Sequence, residues 1–169
     1  SDLYLAGCLR EAAVDDHIII LYVNTSGSRL VQPYGGIGKL MSTSVIATMV
    51  PGGYIFDMST TSTSENAARR HLLNNTKLDV DLVLEDGSFT RDPKDLYAET
   101  SHGGNPLLSK TAIRFNDHKL FNLAIITEIL SGLVTGSGTS QGEDHRSGCF
   151  GFMVKTNSDL AENVKNYLH

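Results

Sequence analysis

The chain has 169 residues, 40% of them hydrophobic and 20% charged, enough for one domain with a packed core. Its 14 basic and 19 acidic residues leave a net charge of -5, which argues against nucleic acid or an anionic membrane surface as main partner. No apolar run reaches the ~20 residues that span a bilayer, and the opening SDLYLAGCLREAA lacks the basic and apolar halves of a signal peptide.

Residues 2–14 put Leu3, Ala6, Leu9 and Ala13 at helical spacing, with Asp2 able to cap. HIIILYVN (17–24) is a continuous apolar, β-rich run, which predicts a strand covered on both faces. Residues 25–39 are polar and glycine-rich, a connection of the length that is usually functional or mobile. SVIATMV (44–50) and YIFDM (54–58) read as two strands of a hairpin turned at Pro51-Gly52-Gly53. Ser62 and Glu65 have the spacing of a capping box, and a helix buries Ala67, Ala68, Leu72 and Leu73.

VDLVLED (80–86) predicts another strand, closed by the turn 86–93. Residues 94–118 are irregular and include HGGNP. Residues 118–134 are apolar almost all round, which predicts a buried helix capped by Asn116 or Asp117. The glycine-rich stretch 135–148 leads to a last strand, 149–155, and a last helix, 158–169, capped by Ser158. The alternation of strand and helix predicts an α/β fold with a mixed sheet flanked by helices, in a single domain spanning 1–169.

Cys8 and Cys149 lie far apart with no paired spacing, so free thiols in a reducing compartment are expected. None of the six histidines has the spacing of a helical zinc site, and no metal is expected. GGIGKL (35–40) and GSGTSQG (136–142) do not sit between a strand and a helix as a Rossmann fingerprint requires, and Lys39 is followed by Leu40 where a P-loop needs Ser or Thr. His118 before Lys119, at a helix start, reads either as a surface turn residue or as part of an anion site. Glu128 inside the apolar helix needs a polar groove, a subunit interface or a catalytic role to offset its burial. The hydroxyl run 59–64, with Asp57 at the strand end, exceeds what a cap requires. Ligands of α/β sheets gather beyond the carboxyl ends of strands, where Asp can accept from a ribose hydroxyl and Ser or Thr can bind phosphate.

Several segments, in order, resemble one family: NTS (24–26), STSVIATMVPGGYIFDMST (42–60), LVLEDGSFTRDP (82–93), HKLFNLAIITEILSGLVTG (118–136) and GCFGFMV (148–154). They are similar to the malate/L-lactate dehydrogenase-like NAD(P)-dependent oxidoreductases, the group with ureidoglycolate, sulfolactate and diketogulonate dehydrogenases and piperideine-2-carboxylate reductase. The resemblance implies the central, non-Rossmann, sulfolactate-dehydrogenase-like nucleotide-binding domain, with NAD or NADP as cofactor. It puts Asp57, Met58, Ser59, His118 and Lys119 against the cofactor and Thr43 near the substrate carboxylate. It implies hydride transfer to or from a small 2-hydroxy or 2-oxo acid or a cyclic imino acid, in a cytoplasmic homodimer. No catalytic residue is assigned, because the family's catalytic histidine lies on a segment before this chain. The family's K-G-x-G stands here as Lys119-Leu120-Phe121-Asn122, and its G-T-N-P as Ser42-Thr43-Ser44-Val45. Side chains in place of glycines motivate an alternative: a relative without cofactor that serves as a binding or assembly module, or uses the pocket for cofactor-free chemistry.

Overall fold

The computed structural model describes residues 4–11, 16–98, 104–143 and 145–169. The predicted cap Asp2, together with Leu3, Ala13, His102 and Gly103, lies outside them, as does the Cys8 side chain. The chain runs α1 (Tyr4–Glu11), β1 (His17–Thr25), β2 (Val45–Val50), β3 (Tyr54–Ser59), α2 (Glu65–Leu73), β4 (Leu82–Val83), β5 (Phe89–Thr90), α3 (His118–Glu128), β6 (Ser147–Lys155) and α4 (Leu160–Leu168). A 3-10 turn covers Pro93–Leu96, and α3 continues as a π-helical stretch, Ile129–Val134.

The expected α/β class is confirmed. The expected mixed sheet is corrected: four strands form one sheet in the order β3-β2-β1-β6, every pair antiparallel. Parallel pairing is confined to one bridge outside the named strands, Val31 with Ile113. β1 is hydrogen-bonded on both edges and apolar at successive positions, so both its faces need cover. Alternation sends Ile19 and Leu21 to the side of α1, where they pack with Leu9, Ala47, Met49 and Ile55. The other face receives α3 and its π-helical extension. A second core joins Ala68 of α2 and Ala124 of α3 to Leu30, Val31, Leu82, Leu96, Ile113 and Phe115. Burying one such aliphatic side chain stabilises by about 1.5–3 kcal/mol. The hairpin turn matches expectation: Gly52 and Gly53 adopt φ of +98° and +97°, which side-chain-bearing residues rarely do.

Other expectations are corrected too, beginning with Leu73, expected in the buried face of α2 but exposed. The strand at 80–86 shrinks to Leu82–Val83, because Asp86 and Gly87 already belong to the turn. The cap of α2 is Ser64, whose Oγ accepts from the Ala67 N–H at 3.1 Å, not Ser62. Ser62 Oγ is buried and has no partner, while Glu65 turns to Arg69 and the Tyr97 hydroxyl. α4 is capped at Asp159 without a side-chain bond, and Ser158 bonds Asp159 instead. Lastly, the segment 118–134 is not buried all round. Ala124, Thr127, Ser131 and Gly132 face inward, but Leu123, Ile125, Ile126 and Ile129 are exposed, and Leu133 and Val134 are 60% and 62% exposed. One sheet can cover only one side of a helix.

The π-helical stretch and β6 meet backbone to backbone. A Cβ on Gly148 would run into the Ser131 carbonyl oxygen, which neither backbone can yield. Gly148→Ala is therefore expected to lower unfolding free energy by about 3 kcal/mol or more. An unchanged midpoint in urea unfolding would refute this close approach.

Candidate functional site

The strand-to-helix junction between β3 and α2 carries the residues singled out from sequence. Register aligns Val23, Val45 and Ser59 in one row and Leu21, Ala47 and Asp57 in the next, so Asp57 and Ser59 share the α1 side of the sheet. They border a cleft of about 570 Å³, with Met58, Thr61, Leu5 and, from α2, Ser64, Asn66 and Arg70. The volume lies within the roughly 300–1,000 Å³ of small-molecule sites. Asn66 and Arg70 stand four residues apart, on one face of α2.

Most of the hydroxyl run is engaged within the chain. Ser59 Oγ donates to the Thr43 carbonyl at 2.6 Å, Thr61 Oγ1 to the Thr63 carbonyl at 2.8 Å, and Thr60 Oγ1 to the Ser44 carbonyl at 3.2 Å. Ser59 and Thr61 also touch each other at 2.6 Å, so two protons serve three contacts. The hydroxyls thus fasten the junction to the loop before β2. That loop includes Ser44, a non-glycine residue at φ +22°. Oxygen lone pairs remain to accept from a ligand.

The six predicted residues do not all meet. Asp57, Met58 and Ser59 converge on the cleft, and Thr43 is tied to it through its carbonyl. His118 and Lys119 lie elsewhere: both are exposed at the start of α3, and the His118 ring meets Tyr34 edge-on at 6.1 Å. Leu120, at the substituted glycine, packs against the core. Glu128 finds a partner within the chain, accepting from Ser140 Oγ, which pins the glycine-rich segment to α3. Ser140 Oγ in turn accepts from the Ser42 N–H at 2.8 Å, and Ser42 Oγ donates to Asn24 Oδ1 at 2.6 Å. This buried polar seam joins the loop before β2 to the end of α3.

Two further clefts flank the β4–β5 hairpin and were not foreseen. One, of about 190 Å³, is bordered by Gln32, Tyr34, Gly35, Phe89, Arg114 and Phe115. Its neighbour, of about 590 Å³, includes Lys39, Glu85 and Lys110. Lys39 Nζ donates at 2.5 Å to the carbonyls of both Pro106 and Ser109, and burial lowers its pKa to about 8. Nothing in the one-dimensional pattern distinguishes Lys39 or Arg114, since both stand in irregular segments. Among the described residues no three His, Cys, Asp or Glu side chains cluster as metal ligands. Cys149 is a free, exposed thiol.

With this geometry in hand, the comparisons are consistent. A sequence profile of the malate/L-lactate dehydrogenases matches residues 4–161, and the chain belongs to that family. No curated protein matches it. Among solved structures it is similar to Δ1-piperideine-2-carboxylate reductase from Pseudomonas syringae pvar. tomato, with TM-score 0.73 and 20% identity over 89% of this chain and 48% of that one. It is similar to a dehydrogenase from Sinorhizobium meliloti, with TM-score 0.72 and 21% identity over 97% and 49%. Sulfolactate dehydrogenase from Methanocaldococcus jannaschii follows, with TM-score 0.65 and 24% identity over 99% and 48%. These likenesses establish the fold. The chain spans about half the length of the structures it matches.

The helix that presents His118 and Lys119 depends on Asp117, which accepts from the Lys119 and Leu120 N–H groups at 2.8 and 3.0 Å. The Leu120 N–H, the largest influence, with that of Lys119, holds the Asp117 carboxyl below the usual range. A carboxyl depressed in the folded state stabilises fully above its unfolded pKa and loses that contribution as pH falls through the folded value. Asp117→Asn keeps a competent cap and is expected to leave stability at neutral pH nearly unchanged. It should flatten the loss between about pH 5 and pH 2, read as melting temperature against pH. Parallel curves for the two proteins would contradict this.

Proposed function

We propose that this chain is the cofactor-binding domain of an NAD(P)-dependent oxidoreductase acting by hydride transfer on a small 2-hydroxy or 2-oxo acid or a cyclic imino acid. The observation that carries the reading is the convergence of Asp57, Met58 and Ser59 on one cleft of about 570 Å³ in a chain of this family. The groups present suit a nicotinamide nucleotide. Asp57 offers acceptors to ribose hydroxyls or a carboxamide, Ser59 and Thr61 offer lone pairs, and Asn66 offers an amide. The apolar side chains of Leu5 and Val23 provide a wall for a flat ring. When bound, the nicotinamide supplies or accepts the hydride. The substrate named for one structural relative, Δ1-piperideine-2-carboxylate, belongs to the proposed range.

Titration with NADH and NADPH, followed by nicotinamide fluorescence, tests this. Saturable binding is expected, weakened about tenfold or more in Asp57→Ala, the scale of losing a hydrogen bond to a charged group. Binding unaffected by that substitution would remove the cleft from the reading. That His118 and Lys119 do not border the cleft, with Leu120 in place of glycine, favours a second reading: a relative that has lost the cofactor and acts as a binding or assembly module. Absence of any nucleotide binding would favour it.

The proposed setting is the cytoplasm; among the described residues no helix is long and apolar enough to cross a membrane. The proposed partner is a second copy of this chain, seated on the exposed stripe Leu123, Ile126, Ile129 and Leu133. Leu133→Asp should shift a dimer to monomer in sedimentation. A monomer before substitution, or a dimer indifferent to it, would reject that interface.

A further inference from the structure

We propose that the cleft between Tyr34 and Arg114 is a site for one small carboxylate, a 2-oxo or 2-hydroxy acid, anchored by the Arg114 guanidinium; this rests on the substrate class proposed above. Arg114 stands on a backbone held from three sides. The Ile113 N–H donates to Leu30 and its carbonyl accepts from Gln32, Ala112 exchanges bonds with Val83, and the Arg114 carbonyl accepts from Ser62 at 2.9 Å. Ile113 and Phe115 are buried, and alternation keeps Arg114 out of the core.

Of the seven arginines, Arg114 is the one that is half-buried; the others are exposed. Arg29 donates to the Gln141 carbonyl, Arg69 pairs with Glu65, and Arg91 pairs with Asp81. Among the described residues the Arg114 guanidinium has no carboxylate or carbonyl acceptor. Its recorded contact is with a ring: its central carbon lies 5.2 Å from the Phe89 centroid. A guanidinium stacked on a ring is oriented by that face and keeps its N–H edge for in-plane acceptors. A half-buried cation with five donors and no acceptor within the described residues keeps those donors for solvent or a ligand, and a carboxylate takes two of them in bidentate form.

The cleft's other features select the ligand. Its volume of about 190 Å³ falls below the roughly 300–1,000 Å³ of sites for larger ligands, which excludes a dinucleotide. No Asp or Glu borders it. Val83, Phe89 and Phe115 offer apolar walls to a short carbon skeleton, and the Tyr34 hydroxyl, without a partner among the described residues, is a second donor. One bordering cation matches a monoanionic carboxylate better than a phosphate dianion.

The test uses the 169-residue chain and pyruvate, followed by amide chemical-shift changes and calorimetry, with pyruvamide and inorganic phosphate as comparison probes. Pyruvate should bind saturably, shift the amides around Tyr34 and Arg114, and bind about tenfold more weakly or worse in Arg114→Gln. Phe89→Leu, which keeps the charge and removes the ring, should weaken it by a few-fold, with circular dichroism showing both variants folded. Equal affinity in Arg114→Gln, equal binding of pyruvamide, or displacement by phosphate at equal concentration would overturn the assignment. NADH titrated into the same samples separates the two readings. Nucleotide binding without Arg114-dependent pyruvate binding sinks this inference alone; the converse leaves the site and sinks the oxidoreductase reading.

Discussion

β1 carries apolar side chains on both faces, and both need cover from water. β1 pairs with β2 through Ile19–Val23 and with β6 along its whole length, so its side chains can go only above or below the sheet. That requirement puts α1 on one face and α3 on the other. It also places β3 at the far edge, where its last residues emerge beside the N-terminus of α2. The cleft at Asp57 lies where the edge of the sheet meets Leu5 of α1 and Asn66 and Arg70 of α2. Its position follows from the cover demanded by β1, and its chemistry from which residues of β3 share the α1 side.

The polar groups near that cleft show how a fold can combine fastening with recognition. Three consecutive hydroxyl residues serve backbone carbonyls at the junction: Ser59 and Thr61 those of Thr43 and Thr63, and Thr60 that of Ser44, which also accepts from the Thr60 N–H. The seam from Glu128 through Ser140 and Ser42 to Asn24 does the same on the other side of the sheet. In both places hydroxyl donors are used within the chain, although the Asn24 amide nitrogen is buried without a partner among the described residues. The isolated cation at Arg114 presents the opposite balance: donors in surplus, over an aromatic face. The two clefts thus differ in charge: the one near Asp57 sets a carboxylate beside the Arg70 guanidinium, and the one near Arg114 has a guanidinium and no carboxylate.

Legibility in the sequence followed the strength of local patterning. β1, the β2–β3 hairpin with its two glycines, and the Asp117 cap were readable because apolar runs and turn residues act over a few positions. The family resemblance located Asp57, Met58 and Ser59, which the fold does bring together. The start of α2 was misread by two residues because six hydroxyls in a row present several equivalent caps, and tertiary bonds to the loop at 43–44 choose among them. The apolar segment 118–134 was read as buried because hydrophobicity reports what a face prefers, not whether this chain has enough surface to cover it. Lys39 and Arg114 were illegible for another reason. Their surroundings come from residues far along the chain, such as Ser109 for Lys39, 70 positions away.

The pairing of β1 with β6 also has a consequence for how the molecule comes into being. It joins His17 to Lys155 and Thr25 to Ser147, bringing together the two ends of a very long intervening segment. Closing a loop of that length lowers chain entropy before any ladder bond is made, and contacts so distant along the sequence form slowly. The β2–β3 hairpin and α2 need only near neighbours and can assemble early. On a ribosome, β1 must wait with one edge unpaired until β6 has been made. During that wait its isoleucines and its open edge are the part of the nascent chain most in need of shelter.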